Sequence, residues 1–137
     1  MSNERAAFNA KVIEEFRAND GNVSLVPTGP VLLLTHKGAK TGQVRTCPLV
    51  YATDAGRIVI AASKAGAPAH PHWYLNIAAN PEVTLEVGTE KYQARAVTVT
   101  GAERDRLYVV IAAAMPIFNE YAAKTEREIP VVVFERI

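Results

Sequence analysis

The sequence has a single cysteine, Cys47, so an internal disulfide is excluded and nothing calls for an oxidising compartment. No apolar run approaches the ~18–20 residues of a membrane-spanning helix. Met1-Ser2-Asn3-Glu4-Arg5 leads into mixed polar and apolar residues, not into the apolar centre of a secretion signal. Aromatic residues are few, at 7%, but 49% of the chain is hydrophobic and 21% is charged, which excludes a disordered polymer. At 137 residues the expectation is one domain with one core, spanning 1–137 and working in the cytoplasm.

Acid is also scarce over a long central stretch. Between Gly21 and Pro81 there is one carboxylate, Asp54, against five bases: Lys37, Lys40, Arg45, Arg57 and Lys64. Such asymmetry focuses field on an anionic ligand; a solvated basic face would look the same by charge alone. Aromatic residues are not interleaved with these bases, which argues against a barrel for single-stranded nucleic acid.

The patterning alternates helical and strand periods. Phe8, Val12, Ile13 and Phe16 recur at helical spacing, predicting a helix from about Asn3 to Asn19 that stops near Gly21. Strands are predicted over 30–36, 43–53 and 57–63, the last two joined by Asp54-Ala55-Gly56 as a hairpin loop. Pro48 cannot give an N–H to a ladder, so that strand should face an edge, a bulge or a ligand. Pro71 opens a short helix through Ala79, and residues 82–87 and 90–99 form a second hairpin. Thr100 and Glu103 match a capping box before a helix with Leu107, Val110, Ile111 and Ala114 on one face. Pro116 closes that helix; a short segment over 118–124 and a last strand over 131–134 follow. Hairpins join most strands, so the expected class is mainly β with flanking helices (α+β), an antiparallel sheet closing into a small barrel.

Three segments could carry chemistry. Lys37-Gly38-Ala39-Lys40-Thr41-Gly42-Gln43-Val44-Arg45 offers cations, a hydroxyl and glycine-freed amides, which suit phosphate or carboxylate. It lacks the order of a Walker loop. Ala61-Ala62-Ser63-Lys64-Ala65-Gly66 has small residues that admit a flat ring; a strand running into a loop reads the same way. His70-Pro71-His72-Trp73-Tyr74-Leu75-Asn76 has two histidines but no third ligand, so no metal site is expected. Ser63 lacks the G-x-S-x-G setting of a hydrolase, and no base is arranged for Cys47.

In combination these segments resemble the deazaflavin-dependent nitroreductase family of actinobacterial F420-dependent oxidoreductases. The resemblance runs from about Val31 to Val133. It is carried by Gly38-x-Lys40-Thr41-Gly42-Gln43-x-Arg45, Pro48-Leu49-x-Tyr51, Ala62-Ser63-Lys64-x-Gly66, His70-Pro71-x-Trp73-Tyr74-Leu75-Asn76, Ala79-Asn80-Pro81 and Arg127-x-Ile129-Pro130, in order. It implies a split β-barrel, akin to FMN-binding and pyridoxamine-phosphate-oxidase-like proteins, and reduced F420 as cofactor. Its phosphate and polyglutamate tail would account for the base-rich window. By resemblance, Lys40, Thr41 and Arg45 hold the phosphate, with Lys37 adding charge where Ala39 stands in place of a base. Pro48, Ala62, Ser63, Lys64, His72 and Trp73 would line the ring, and Ser63 or Tyr121 would meet the acceptor.

The implied reaction is hydride transfer to an electron-poor acceptor, a quinone or an α,β-unsaturated carbonyl compound such as a lactone. Met115-Pro116-Ile117-Phe118-Asn119-Glu120-Tyr121 keeps one hydroxyl where nitro-reducing relatives are tyrosine-rich, which sets nitro compounds behind these. Within the fold the alternative is an FMN-binding oxidoreductase; outside it, a non-catalytic binder of cofactor or apolar ligand. A monomer is expected, with a homodimer as the alternative, and loose membrane association is compatible with a quinone acceptor.

Overall fold

The run Val31-Leu32-Leu33-Leu34 is buried on both faces and begins strand β1 (Val31–Lys37). Leu32 and Leu34 face the inside of the sheet; Val31 and Leu33 face outward, beneath Val12 and Phe16 of helix α1 (Ser2–Ala18). Side-chain alternation along a strand separates the two sets. The structure, a computed structural model, describes residues 2–137.

Six further strands follow: β2 (Val44–Val50), β3 (Ala52–Asp54), β4 (Arg57–Ala61), β5 (Glu82–Val87), β6 (Glu90–Val99) and β7 (Val131–Arg136). They form one antiparallel sheet in the order β2-β1-β5-β6-β7-β4-β3. Its two edges, β2 and β3, are consecutive in the chain with only Tyr51 between them. The sheet must therefore curl until its edges meet, and the Tyr51 amide marks the corner by donating to Pro30 O at 3.1 Å. The expected mainly β, split-barrel architecture with flanking helices is what forms.

Helices close the remaining faces. Helix α2 (His72–Ala79) puts Ile77 into the inner cluster with Leu32, Leu34, Leu85 and Phe134. Helices α3 (Gly101–Ala114) and α4 (Ile117–Lys124) cover the outer side of β4 and β7, with Leu107, Ile111 and Phe118 against Val59, Val131 and Val133. After α1 the chain passes so close to the β5–β6 turn that a Cβ on Gly21 (φ +90°) would lie 2.7 Å from Gly88 Cα, a place only glycine fits.

Several boundaries differ from the sequence reading. The single strand expected over 43–53 is two, because the chain changes partners at Tyr51, from β1 to β4. The strand expected to reach Ser63 ends at Ala61, where a left-handed turn takes over. Pro71 caps α2 instead of opening it. Thr100 is the N-cap of α3, yet its side chain makes no capping bond: Gly101 enters at φ +62°, and Glu103 turns instead to Arg106 at 2.9 Å. Ala114 is exposed and Tyr108 takes the buried place on that helix, while Phe8 is 46% exposed.

Candidate functional site

The glycine turn after β1 is built by its own backbone. Gly38 N–H donates to Gln43 O at 2.8 Å, Gly42 N–H to Gly38 O at 3.0 Å, and Gln43 N–H to Thr41 Oγ1 at 3.2 Å. Gly42 sits at φ +71°, which reverses the chain. Lys37, Lys40, Thr41 and Arg45 are all exposed on this turn and its flanks. Arg45 is steadied by Gln43 Oε1 at 3.1 Å.

Helix α2 ties this turn to the rest. Asn76 Oδ1 accepts the Ala39 amide at 3.0 Å, its Nδ2 meets His36 Nδ1 at 3.1 Å, and Asn80 Nδ2 donates to Lys37 O at 3.3 Å. With Asn76 donating to Nδ1, the His36 proton belongs on Nε2, facing Cys47 Sγ at 3.7 Å. Burial pushes the Cys47 thiol up to about 12, so it is no nucleophile near neutrality.

His36 is buried, and burial first, then the nearby Arg45 charge, lowers its pKa from the ordinary 6.5. The unfolded chain takes up this proton at a pH where the folded chain refuses it. Stability should therefore fall as pH drops below about 6.5, through the window between the unfolded and the depressed folded value. Melting curves between neutral and mildly acid pH check this, and His36→Gln should flatten the dependence.

The second group lies at the other end of α2. Ala62 and Ser63 are buried at the end of β4, and Lys64 (φ +47°), Ala65 (φ +54°) and Gly66 (φ +81°) then form a left-handed turn. Two non-glycine residues in this region cost about 1–3 kcal/mol each and persist only where surroundings impose them. Tyr121 of α4 is one neighbour: a Cβ on Gly66 would lie 2.9 Å from Tyr121 O. Its ring stacks edgewise on Phe118 at 5.2 Å.

Arg127 is the other. Its Nε donates to Ala67 O at 2.9 Å, its Nη2 to Ser63 O at 2.7 Å, both Nη atoms to Ala62 O at 3.3 Å, and Nη1 to His70 Nδ1 at 2.9 Å. By sequence alone Arg127 has no assigned role, and His36 is only the end of a strand. Alternation with Leu32 and Leu34 signals an inward His36; the Arg127-x-Ile129-Pro130 motif marks Arg127 without showing what it touches.

The structure thus gathers the singled-out residues into two groups joined by α2. The turn of Lys37, Lys40 and Thr41, with Arg45 opposite His36 on the next strand, is bonded to Asn76 in the C-terminal half of α2 and to its cap Asn80. Ala62 and Ser63, which lead into Lys64, are tied through Arg127 to His70 just before α2, and Gly66 of that turn borders Tyr121. Eight residues of helix span about 12 Å. His72 is exposed at the start of α2, and Trp73 is half-buried in the inner cluster, edge-on to Tyr74 at 6.2 Å. Pro48 stands apart. It pairs with Leu33 on the edge strand β2, and by alternation it faces away from Arg45 and Cys47.

Cations cluster in the first group. Six arginines (Arg17, Arg57, Arg95, Arg104, Arg106 and Arg136) pair with carboxylates. Among the described residues, no lysine pairs with a carboxylate, nor do Arg5, Arg45 and Arg127; three of these unpaired cations, Lys37, Lys40 and Arg45, fall together at the glycine turn. Uncompensated cations around a glycine turn fit a large anion. No group of three or more His, Cys, Asp or Glu able to hold a metal occurs among the described residues.

Known proteins share this plan. Residues 9–136 match the family described as F420H(2)-dependent quinone reductase. An F420H(2)-dependent quinone reductase of Mycobacterium tuberculosis is 38% identical over 126 residues, covering 88% of this chain and 85% of that protein. A solved F420-H2 dependent reductase, FDR-A, is 38% identical with a TM-score of 0.71, covering 77% of this chain and 94% of its own. A structure described as a domain-swapped dimer is 34% identical with a TM-score of 0.73, over 92% of this chain and 96% of its own. At 9% identity and a TM-score of 0.53, a Listeria innocua structure assigned as a pyridoxamine 5′-phosphate oxidase shares the fold alone, over 93% of this chain and 92% of its own. With the uncompensated cations at one end of α2 and the small-residue turn at the other, these matches place the chain in the F420H2-dependent quinone reductase family, a family of oxidoreductases whose cofactor is F420.

Proposed function

We propose that this chain reduces a quinone with reduced F420, holding the anionic tail at the glycine turn and the ring at the Ser63–Gly66 turn. The observation that carries this reading is the set of unpaired cations, Lys37, Lys40 and Arg45, around a turn that α2 anchors to the rest of the site. When bound, reduced F420 supplies a hydride; a proton from solvent completes the two-electron reduction of quinone to quinol. Lys40, Thr41 and Arg45 bind the tail through charge-assisted hydrogen bonds. Small side chains at Ala62 and Ser63 let a flat ring approach the backbone, and Lys64 and His72 flank it. We assign to the Ser63 and Tyr121 hydroxyls the role of hydrogen-bonding an acceptor oxygen as it gains negative charge. Tyr121 borders the turn through its own helix, which supports that role.

Helix α1 already covers the outer face of β1, which favours a monomer. A solution mass near 14.8 kDa agrees with it, and twice that mass points to an exchange like that of the domain-swapped relative. No helix among the described residues is long and apolar enough to cross a membrane. We place the protein in the cytoplasm, where its one thiol stays reduced.

The test is a fluorescence titration with F420 beside FMN, followed by anaerobic mixing of the F420H2 complex with a soluble quinone. Saturable F420 binding with much weaker FMN binding, and oxidation of F420H2 only when quinone is present, is the expected result. Preference for FMN would reassign the cofactor. Binding without turnover on any quinone or unsaturated lactone would make the protein a carrier.

A further inference from the structure

We infer that Arg127 is the positioning residue of the ring turn: its guanidinium, and not local sequence preference, sets the Ser63–Gly66 backbone in the form that receives the cofactor. The inference rests on the reading proposed above, in which this turn holds the ring.

Lys64 and Ala65 both adopt positive φ, and neither has a side chain that favours it. The turn's own bonds are two, Gly66 N–H to Ser63 O at 3.0 Å and Ala67 N–H to Lys64 O at 3.0 Å. Gly66 packs against α4, but the hydrogen bonds that oppose the strain from outside the turn come from one side chain some sixty residues away. Arg127 bridges Ala62 O, Ser63 O and Ala67 O, which bracket the strained pair on both sides, and also holds His70 just before α2.

Arg127 differs from the arginines engaged in ion pairs. Among the described residues it has no carboxylate partner; its acceptors are neutral carbonyls and one imidazole. A planar fork with donors on three nitrogens can satisfy acceptors arranged in this way. A lysine ammonium, a single point, cannot reach both Ser63 O and Ala67 O with the same geometry. The late segment therefore completes the site without touching the reacting atoms.

Arg127→Lys and Arg127→Met test this. Residue-resolved amide exchange on the cofactor-free protein should show Gly66 and Ala67 exchanging about tenfold faster or more in both variants. Gly38 and Gly42, whose turn Arg127 does not touch, should be unchanged. F420 affinity should fall about tenfold or more in both, since restoring charge without the fork does not rescue. Unchanged exchange at Gly66 and Ala67, loss of protection spread over the whole chain, or altered exchange with full F420 affinity would each overturn the inference. If the wild-type protein binds no F420, the functional reading falls instead, and the exchange result still decides whether Arg127 sets the turn. Should Arg127→Met fail to fold, Arg127→Lys alone carries the comparison.

Discussion

The double variant Lys40→Ala/Arg45→Ala is expected to weaken F420 binding by about 3–6 kcal/mol, from about 1.5–3 kcal/mol for each hydrogen bond to a charged group. Both ends of this sum take the two cations to act independently. Neither is paired with a carboxylate in the protein, so removing them should leave thermal stability nearly intact, unlike the loss of a buried partner. Both are exposed, so the single variants should lose less in high salt than in low salt. Arg45 has a second effect. Its charge is one cause of the lowered His36 pKa, and without it His36 should titrate closer to its ordinary value. Fluorescence titrations at two salt concentrations, with imidazole resonances followed against pH, check all three points. Full affinity in the double variant would show that the tail lies elsewhere.

The tail-binding turn was legible in the sequence because everything that makes it is local. Two glycines, a threonine and their neighbouring bases fall within nine residues, and the missing acid is a matter of counting. Short apolar runs marked the buried strands in the same way, and Pro48 did fall on an edge strand. The corner at Tyr51 left no such trace, since the alternation runs on through it while the hydrogen-bonding partner changes from β1 to β4. The ring turn was half legible. Its small residues were visible, but propensity assigns positive φ to Gly66 alone and not to Lys64 or Ala65. What holds those two residues is long-range: Arg127 acts on backbone carbonyls, which every residue has and no sequence pattern marks. Asn76 lies between these cases. The sequence puts it in a short helix within a motif, and only the fold shows that it reaches Ala39 and His36 at once.

Gly66→Val should be the most damaging single change at the ring turn, and Gly56→Val measures how much of the damage is due to packing. Both glycines have similar backbone angles, φ +81° at Gly66 and φ +80° at Gly56, so a β-branched residue meets the same local strain of about 1–3 kcal/mol at each. At Gly56, in the β3–β4 hairpin, an added Cβ meets nothing within 4 Å. At Gly66 it would lie 2.9 Å from Tyr121 O, 3.0 Å from Lys124 Cβ and 3.2 Å from Tyr121 Cα. The first and last of these are backbone atoms of a helix and cannot rotate aside. Either the turn or α4 must move, adding about 1–3 kcal/mol of overpacking. Movement of α4 also displaces Phe118, whose burial against Tyr108 and Met115 secures that helix to the barrel. Urea denaturation should therefore place Gly66→Val about 2–6 kcal/mol below wild type, with Gly56→Val losing the strain alone. F420 titration should separate them further: Gly56→Val keeps wild-type affinity, while Gly66→Val loses the surface that receives the ring. Equal stability losses with equal affinity would mean that the turn does not rest on α4, and Tyr121 would then have no fixed place beside the acceptor.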